Sequence, residues 1–254
     1  MNGSGLEGKV ALVTGGAGAI GAATCKRLAA SGVRVAVVDI RGEAADKVAV
    51  AIVADGGEAA GFVADLNSED AIIALVDAVI ARFGRIDILH NNAVANGVID
   101  KDGTLLSLTS EVWDKTFAVN VRAPMLLCRQ VVPQMIENGG GVIINTSSGA
   151  SELPSIDART AYGPSKAALE TLTRYIALQY GQQGIRANAI LPGVVMTPGM
   201  KVMFKQEDLD AMVSRTMMRR FNYPEDIAAM VHFLASDDAR QVTGELIRVD
   251  GGRP

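Results

Sequence analysis

Residues 10–21, Val-Ala-Leu-Val-Thr-Gly-Gly-Ala-Gly-Ala-Ile-Gly, decide the fold of this 254-residue chain. The apolar run Lys9–Thr14 predicts a buried β-strand, and Ile20–Ser31 predicts a helix. Between them the glycines permit a tight turn, and they let backbone N–H groups approach an anion at the positive end of the helix. The segment therefore predicts the opening strand, turn and helix of an α/β sheet with an anion-binding edge.

The alternation of apolar strands and helices continues along the whole chain. Such strands indicate a parallel sheet that helices cover on both faces. No linker or short repeat interrupts the pattern, which predicts one domain over residues 1–254, with a doubly wound Rossmann-type parallel sheet of about seven strands. The later predicted strands are Val33–Asp39, Ala59–Ala64, Ile86–Asn91, Gly141–Thr146, Ile185–Leu191 and Leu246–Val249, and the later predicted helices are Ala44–Ala54, Ser68–Phe83, Ser110–Asn138, Ala161–Tyr180 and Pro224–Ala235.

The composition is that of an ordinary globular protein, with 49% hydrophobic residues, 20% charged residues and a net charge of −4. The charge gives no reason to expect nucleic acid or an anionic membrane as a partner, and no apolar run reaches the ~18 residues of a membrane-spanning helix. Met1–Lys9 has no apolar signal core, and Cys25 and Cys128 form no metal-type cluster. We therefore expect reduced thiols, no metal and a cytoplasmic location.

A carboxylate follows the second predicted strand at the distance that a dinucleotide site requires. Asp39 lies 18 residues after Gly21, where it can accept hydrogen bonds from both hydroxyls of an adenosine ribose and would repel a 2′-phosphate. Asp65-Leu66 and Asn91-Asn92-Ala93 follow the next two strands, at the edge where a dinucleotide would lie. This pattern predicts NAD as the cofactor, with NADP less favoured.

Tyr162 and Lys166 stand four residues apart on a predicted helix and therefore share one of its faces. A phenol with a pKa of about 10 serves as a base near neutral pH only if that pKa falls, which a nearby ammonium and an oxidised nicotinamide both favour. Ser147 and Ser148 end the preceding strand. Asn120 interrupts an apolar helix, which suggests a bound water or a backbone bridge.

With these residues the chain resembles the short-chain dehydrogenase/reductase family in its compact single-domain form, from Lys9 to Gly252. The resemblance implies an oxidoreductase that interconverts a secondary alcohol and a ketone by hydride transfer. The family's motifs appear here in the family's order: Thr14–Gly21, Asp65, Asn91-Asn92-Ala93, Asn120, Ser148, Tyr162 with Lys166, Pro192-Gly193, Thr197, Val242-Thr243-Gly244 and Val249-Asp250-Gly251-Gly252.

The resemblance also implies residue roles. Tyr162 would be the general acid/base, and Lys166 would bind the nicotinamide ribose and lower the pKa of the tyrosine. Ser148 would bond the substrate oxygen, and Asn120 would hold a water of a proton relay. Asp65 would meet the adenine, and Thr197 with the backbone near Val195 the carboxamide. The implied cofactor-binding set is Gly15, Gly18, Ala19, Ile20, Gly21, Asp39, Asp65, Leu66, Asn92, Ala93, Tyr162, Lys166, Pro192, Val195 and Thr197.

Four positions depart from the family pattern. Ala19, Val94 and Asn222 each stand where the family usually has glycine. Ser148 precedes Tyr162 by 14 residues, one more than is usual, which leaves Ser147 as the alternative. We prefer Ser148 because it matches the end of the strand.

Two other functions remain open. An NADPH-dependent carbonyl or 3-oxoacyl-thioester reductase would usually carry a basic residue at Gly18 or Ile40; this chain has neither, although Arg41 is close. A non-catalytic nucleotide-sensing protein would lose part of the catalytic set, which is complete here. His90 and His232 are expected in the core or at its rim, and residues 100–103 are expected to form a solvated turn.

The substrate and the assembly are predicted from the C-terminal half. We expect a substrate lid over residues 194–220, with pocket walls from Val94–Ile99, Ser151–Ser155 and Met196–Arg219. Methionines pack against irregular apolar shapes, which favours an apolar cyclic or branched alcohol. The family resemblance implies a homotetramer joined through the long helices and the last strand. The lid methionines are Met196, Met200, Met203, Met212, Met217 and Met218.

Overall fold

The computed structural model describes residues 4–153, 159–197 and 205–252. Within them, the strands form one sheet in which every pairing is parallel. The strands are β1 (Val10–Thr14), β2 (Arg34–Asp39), β3 (Ala59–Val63), β4 (Ile88–Asn91), β5 (Gly141–Thr146), β6 (Ile185–Pro192) and β7 (Leu246–Val249). Their order is β3-β2-β1-β4-β5-β6-β7, which confirms the predicted doubly wound α/β class.

Helices connect these strands. No helix of the described residues is both long and apolar enough to cross a membrane. The helices are α1 (Ala19–Ala29), α2 (Gly42–Ala54), α3 (Glu69–Phe83), α4 (Asn96–Ile99), α5 (Ser110–Phe117), α6 (Ala123–Glu137), α7 (Tyr162–Tyr180), α8 (Gln206–Ser214) and α9 (Pro224–Ala235).

Two apolar layers cover the faces of the sheet. Successive side chains of a strand point to opposite faces, so Leu12 packs with Val131 of α6, whereas Val13 packs with Leu28 of α1 and Val231 of α9. These side chains are all fully buried. Each such burial stabilises the fold by roughly 1.5–3 kcal/mol, which makes the sheet a rigid platform for the loops at its edge.

The strand order reverses between β1 and β4. From β1 the chain adds β2 and then β3 on one side, and it returns with β4 on the other side of β1. The connections after β1 and β4 therefore leave in opposite directions and open a crevice at the carboxyl ends of the strands, where doubly wound folds bind ligands.

One predicted helix differs in a way that concerns the site. The stretch Ser110–Asn138 is helical without a break from Ser110 to Glu137, but a π-helical turn, Ala118–Arg122, interrupts its α-helical pattern between α5 and α6. The turn contains Asn120, whose side chain is buried and bonded to two other segments. Such turns insert an extra residue into a helix and are common at functional sites.

Candidate active site

The turn after β1 has the backbone that its glycines require. Gly15 has a φ of +62°, which side chains other than glycine rarely adopt. A Cβ at Gly21 would lie 2.1 Å from the carbonyl oxygen of Gly15, so the start of α1 packs too closely on the turn for any side chain there. Ala19, one of the departures from the family pattern, is the first residue of α1, where alanine is a strong helix former.

Asp39 ends β2 beside this turn. Its side chain is 8% exposed, and Oδ2 accepts a hydrogen bond of 3.2 Å from the backbone N–H of Ala17. Oδ1 accepts from both the backbone N–H and the Nε of Arg41, at 3.1 and 3.2 Å. The carboxylate is thus held in one orientation, with a guanidinium next to it.

The end of β4 is tied to the end of β1. The Thr14 hydroxyl accepts hydrogen bonds from the backbone N–H groups of Asn92 and Ala93, at 3.0 and 3.1 Å, and donates to the carbonyl of His90. The Asn92 amide donates to the carbonyls of Thr14 and Gly15. Asn92 therefore shapes the glycine turn in this structure. Thr14 holds the end of β4 against the end of β1, a role that was not predicted from the sequence.

A cleft of about 750 Å³ lies over these three strand ends. Ten of the predicted cofactor residues line it, as does Arg41, which the sequence already placed close to the site; Asn67 and Val119 are lining residues that were not predicted. Asp65, which is predicted to meet the adenine, accepts hydrogen bonds from the backbone and side chain of Asn67, and these bonds hold the pKa of its carboxyl below the usual value. The ten are Gly15, Gly18, Ala19, Ile20, Asp39, Asp65, Leu66, Asn92, Ala93 and Thr197.

Tyr162 is the first residue of α7, and Ser148 follows β5. Burial raises the pKa of Tyr162 above the usual value, while the Ser148 side chain beside it and the charge of Arg159 offset part of that shift. The buried surroundings therefore favour the protonated phenol, and the lowering of its pKa by Lys166 stays a prediction.

Ser147 points away from the tyrosine. It is 2% exposed, and its hydroxyl donates to the buried carboxylate of Glu170 at 2.5 Å. Ser151 donates to the same carboxylate oxygen, so Glu170 ties the start of the loop after β5 to α7. This places Ser148, and not Ser147, beside the phenol, as the strand alignment predicted.

Lys166 lies one helical turn beyond Tyr162. Its ammonium donates to the carbonyl of Thr146 at 2.7 Å and stands 5.6 Å from the centre of the tyrosine ring. Burial lowers the pKa of Lys166 to about 8, and the carboxylate of Glu170 acts in the opposite direction. The lysine is therefore a buried cation whose charge depends on pH near neutrality.

Asn120 bridges two loops of the site. Its Oδ1 accepts from the backbone N–H of Ala95 at 3.1 Å, and its Nδ2 donates to the hydroxyl of Ser165 at 3.0 Å. Ser165 in turn donates to the carbonyl of Tyr162. The predicted backbone bridge is thus present, and it connects the loop after β4 to the first turn of α7.

The expected solvated turn at residues 100–103 is found at Asp100 and Lys101, which are exposed, but is wrong for Asp102. Asp102 is 8% exposed and accepts from the backbone N–H groups of Ala161 and Tyr162, at 2.9 and 2.8 Å. The carbonyl of Gly103 accepts from the hydroxyl of Thr160 at 2.7 Å. Asp102, Asn120 and Tyr162 line one small cavity, which shares Val94 and Ala95 with the cleft. No local pattern identifies Asp102, because its partners lie 59 and 60 residues away.

The segment after β6 is described in part. Pro192 is buried at the end of the strand, the backbone of Val195 forms a β-bridge with Asn222, and Thr197 reaches the cleft. Ser155 in the predicted pocket wall and residues 198–204 of the predicted lid, with Met200 and Met203, lie outside the described residues. Of the other lid methionines, Met196 is buried, whereas Met217 and Met218 are 68% and 64% exposed.

The remaining titratable residues singled out in the sequence lie away from the cleft. His90 is fully buried, which lowers its pKa to about 3, and one ring nitrogen bonds the hydroxyl of Thr146. His232 is half-buried and bonds Ser31. Cys25 and Cys128 are buried free thiols whose pKa values burial raises. Among the described residues, no group of three or more His, Cys, Asp or Glu side chains could hold a metal ion.

Comparisons with known proteins identify the family to which this fold and this cleft belong. Residues 15–253 match the family model described as enoyl-(acyl carrier protein) reductase. The chain is 44% identical to a probable short-chain type dehydrogenase/reductase from Bradyrhizobium diazoefficiens, over 97% of this chain and 88% of that protein. It is 38% identical to D-threitol dehydrogenase from Mycolicibacterium smegmatis, over 97% and 93%.

A solved structure is similar over the whole chain. It is that of a 7α-hydroxysteroid dehydrogenase complexed with NADH and 7-oxo glycochenodeoxycholic acid, with 35% identity and a TM-score of 0.93 over 100% of this chain and 98% of that one. The protein described here belongs to the short-chain dehydrogenase/reductase family of oxidoreductases.

Proposed function

We propose that this protein is an NAD(H)-dependent oxidoreductase that interconverts a secondary alcohol and its ketone. The observation that supports it most strongly is that the Ser148 side chain lies close enough to Tyr162 to lower the pKa of the phenol in a partly buried site. Two hydroxyls that meet at one point can both bond a single substrate oxygen, and a phenol can exchange a proton with it. The cavity that Tyr162 lines adjoins the cleft through Val94 and Ala95.

The residues of the cleft fit a dinucleotide. Gly18 caps α1 without a side-chain hydrogen bond, and the first N–H groups of a helix have no acceptor within it, so they can bind a pyrophosphate. The close packing of Gly21 on Gly15 brings the helix start against the cleft. Asp39 presents its carboxylate at the end of β2, where ribose hydroxyls would be bound.

NAD is favoured over NADP by the charge of Asp39, because a carboxylate in this position repels a 2′-phosphate. The similar hydroxysteroid dehydrogenase was solved with NADH. Arg41 acts against this preference: its guanidinium pairs with Asp39 at 3.2 Å and is 65% exposed, within reach of the cleft. Asp39 thus remains the acceptor for the ribose, and Arg41 limits how strongly it excludes a phosphate.

A nicotinamide bound in the cleft supplies the hydride chemistry, as acceptor from the alcohol carbon or donor to the carbonyl carbon. Tyr162 carries the proton: as a phenol it donates to the oxygen of a ketone, and as a phenolate it takes the proton of an alcohol. Its raised pKa in this structure suits the donor role. Ser148 holds the same oxygen by a second hydrogen bond.

Lys166 and Asn120 support the proton transfer by Tyr162. Lys166 has its ammonium on the carbonyl of Thr146, and its two remaining N–H donors are available to ribose hydroxyls. Asn120 holds the loop after β4 against α7, and with Ala95 and Tyr162 it lines the small cavity. In the oxidation direction, the positive charge of an oxidised nicotinamide would favour the phenolate of Tyr162 over the phenol.

An NADPH-dependent 3-oxoacyl-thioester or other carbonyl reductase is the second candidate. Arg41 at the cleft favours it, as does the match to a family model named for an acyl-carrier-protein reductase. The catalytic residues would have the same roles, so cofactor preference and substrate distinguish the two. A non-catalytic nucleotide sensor is disfavoured because the catalytic set Asn120, Ser148, Tyr162 and Lys166 is complete.

For the substrate we propose an apolar cyclic or branched alcohol or ketone. Val94, Ala95 and Ile99 line the cavity beside Tyr162, and Met196 is buried after β6. One relative is a hydroxysteroid dehydrogenase, which fits this class, but another is named for the polyol D-threitol. Polyols are therefore the comparison that tests the proposal. We place the substrate lid at residues 194–220 of the single domain, 1–254.

For the assembly we propose a homotetramer joined through α5, α6, α7 and β7. Exposed apolar side chains lie on these helices, among them Trp113, Met125, Tyr175 and Leu178, which is 81% exposed. A cytoplasmic location is supported by the two buried free thiols. A particle of monomer mass in light scattering at micromolar concentration would contradict the tetramer.

The experiment is to incubate the purified protein with NAD or NADP and a panel of secondary alcohols, following the absorbance of the reduced cofactor. We expect turnover with NAD, at least tenfold better in kcat/KM than with NADP, or about 1.4 kcal/mol. Cyclic apolar alcohols should be better substrates than polyols of equal size. Equal use of NADP would contradict the proposal that NAD is the cofactor. A preference for polyols would contradict the proposed apolar substrate class.

A further inference from the structure

The catalytic helix α7 begins without a cap of its own. Its preceding residue, Ala161, offers no side-chain acceptor, although the first N–H groups of a helix need partners from outside it. The acceptor comes from a different loop. Asp102 Oδ1 lies 2.9 Å from the nitrogen of Ala161, and Oδ2 lies 2.8 Å from that of Tyr162. The carboxylate therefore bonds the backbone of the tyrosine itself.

A second set of bonds holds the same two segments together. The carbonyl of Gly103 accepts from the backbone N–H and the hydroxyl of Thr160. Residues 102–103 thus contact residues 160–162 through their backbone and side-chain groups. The Asp102 side chain is 8% exposed, and a buried carboxylate that accepts N–H bonds at a helix start is favoured by both the bonds and the helix dipole.

We propose that Asp102 is a positioning residue for the reaction, one that fixes the height of Tyr162 above the cleft by holding the first turn of α7. The inference rests on the proposed function, since it concerns the proton that Tyr162 transfers. Because Asp102 belongs to the segment whose earlier residues Val94 and Ile99 line the small cavity beside Tyr162, it also sets the distance between that wall and the phenol.

The test compares two acids of one loop. Asp100 is exposed and two residues from Asp102, so Asp100→Ala removes the same charge without removing the bonds to α7. We expect Asp102→Ala to lower kcat about 30-fold or more with the Kd for NADH within about twofold, because a displacement of about 1 Å can cost a hundredfold. Asp102→Asn keeps one acceptor oxygen and should lose only about 3- to 10-fold. Asp100→Ala should retain wild-type kcat.

Hydrogen exchange gives a readout that does not depend on activity. The amides of residues 160–162 should exchange faster in Asp102→Ala, and to a lesser extent in Asp102→Asn, while Asp100→Ala leaves them protected. A lower melting temperature with unchanged kcat in the folded variant overturns the proposal. If Asp102→Ala does not fold, Asp102→Asn decides: wild-type kcat and exchange overturn it. Retained activity in Tyr162→Phe would instead contradict the proposed function.

Discussion

The nucleotide end of the cleft and the catalytic end are built in different ways. At the nucleotide end, residues 10–41, the shape comes from a glycine turn and a carboxylate whose bond to Ala17 spans 22 residues, and the amide of Asn92 supports the turn across 77 and 78 residues. At the catalytic end the contacts are distant: Ala161 bonds Asp102 across 59 residues, and Ser165 bonds Asn120 across 45. Local sequence therefore identifies the glycine turn and Asp39, whereas only the fold assembles the catalytic end.

This contrast implies different sensitivities to mutation. In the proposed function, backbone N–H groups bind the pyrophosphate at the nucleotide end, so a single side-chain change there should alter cofactor preference more than rate. At the catalytic end each function depends on one side chain, so a single change should alter the rate and leave nucleotide binding intact.

The largest effect is expected at Tyr162. Tyr162→Phe removes the proton donor and keeps the ring, so kcat should fall by about 10³-fold or more, within the range for loss of a general acid/base. The Kd for NADH, measured by fluorescence, should stay within about twofold, because the cleft is unchanged. A variant that loses NADH binding as well would show that the two regions are not separable in this way.

The paired serines provide a second and smaller effect. Ser148→Ala removes the partner of the phenol, and kcat should fall about 100-fold, as for loss of one donor to a reacting oxygen. Ser147→Ala removes a buried bond to Glu170, so its main effect should be a lower free energy of unfolding, by about 1–3 kcal/mol. Paired kinetic and urea-unfolding measurements check both. A crippled Ser147→Ala beside an active Ser148→Ala would reverse the assignment.

At the nucleotide end, Asp39→Ala should change the preference for NAD over NADP rather than kcat. Removing the carboxylate takes away the ribose acceptor and frees Arg41 from its ion pair. The ratio of kcat/KM for NAD to that for NADP should fall by about tenfold, mainly through KM. Arg41→Ala is the matched control and should move the ratio in the opposite direction. A ratio unchanged in Asp39→Ala would mean that this carboxylate does not select the cofactor.

The same contrast explains which features the sequence predicts. Strands Gly141–Thr146 and Leu246–Val249 are found at the predicted residues, and the glycine turn with Asp39 is found where its spacing placed it. These features depend on neighbours in the chain.

Three features were not predictable from local patterns. The π-helical turn around Asn120, the cap from Asp102 and the buried Glu170 all depend on partners brought close by the sheet. An isolated Asp in a polar turn, or a Glu in a helix, has the same sequence pattern whether it is solvated or buried. The sequence pattern accordingly predicts a solvated turn for Asp102 and indicates nothing about the burial of Glu170.

The smallest expected effect is a shift of pH dependence at the catalytic end. Burial lowers the pKa of Lys166 to about 8, and Glu170 opposes that shift. Tyr162 is the other titratable group described beside the lysine. Glu170→Gln keeps an acceptor for Ser147 and Ser151 but removes the charge, so the pKa of Lys166 should fall further. Below its pKa the lysine is the ammonium that can bond ribose hydroxyls, and this form is lost as the pH rises.

The direction of the pH shift can therefore be predicted for ketone reduction, because Tyr162 acts as the neutral phenol both near pH 6 and near pH 8. The alkaline limb of kcat/KM for NADH should move to lower pH in Glu170→Gln, with a loss of a few-fold near pH 8 and about wild-type activity near pH 6. Glu111→Gln, which removes an exposed carboxylate paired with Lys115 on α5, serves as the control and should keep the wild-type profile. An alkaline limb that stays in place, or moves to higher pH, would show that Glu170 anchors the loop after β5 without acting on the charge of Lys166.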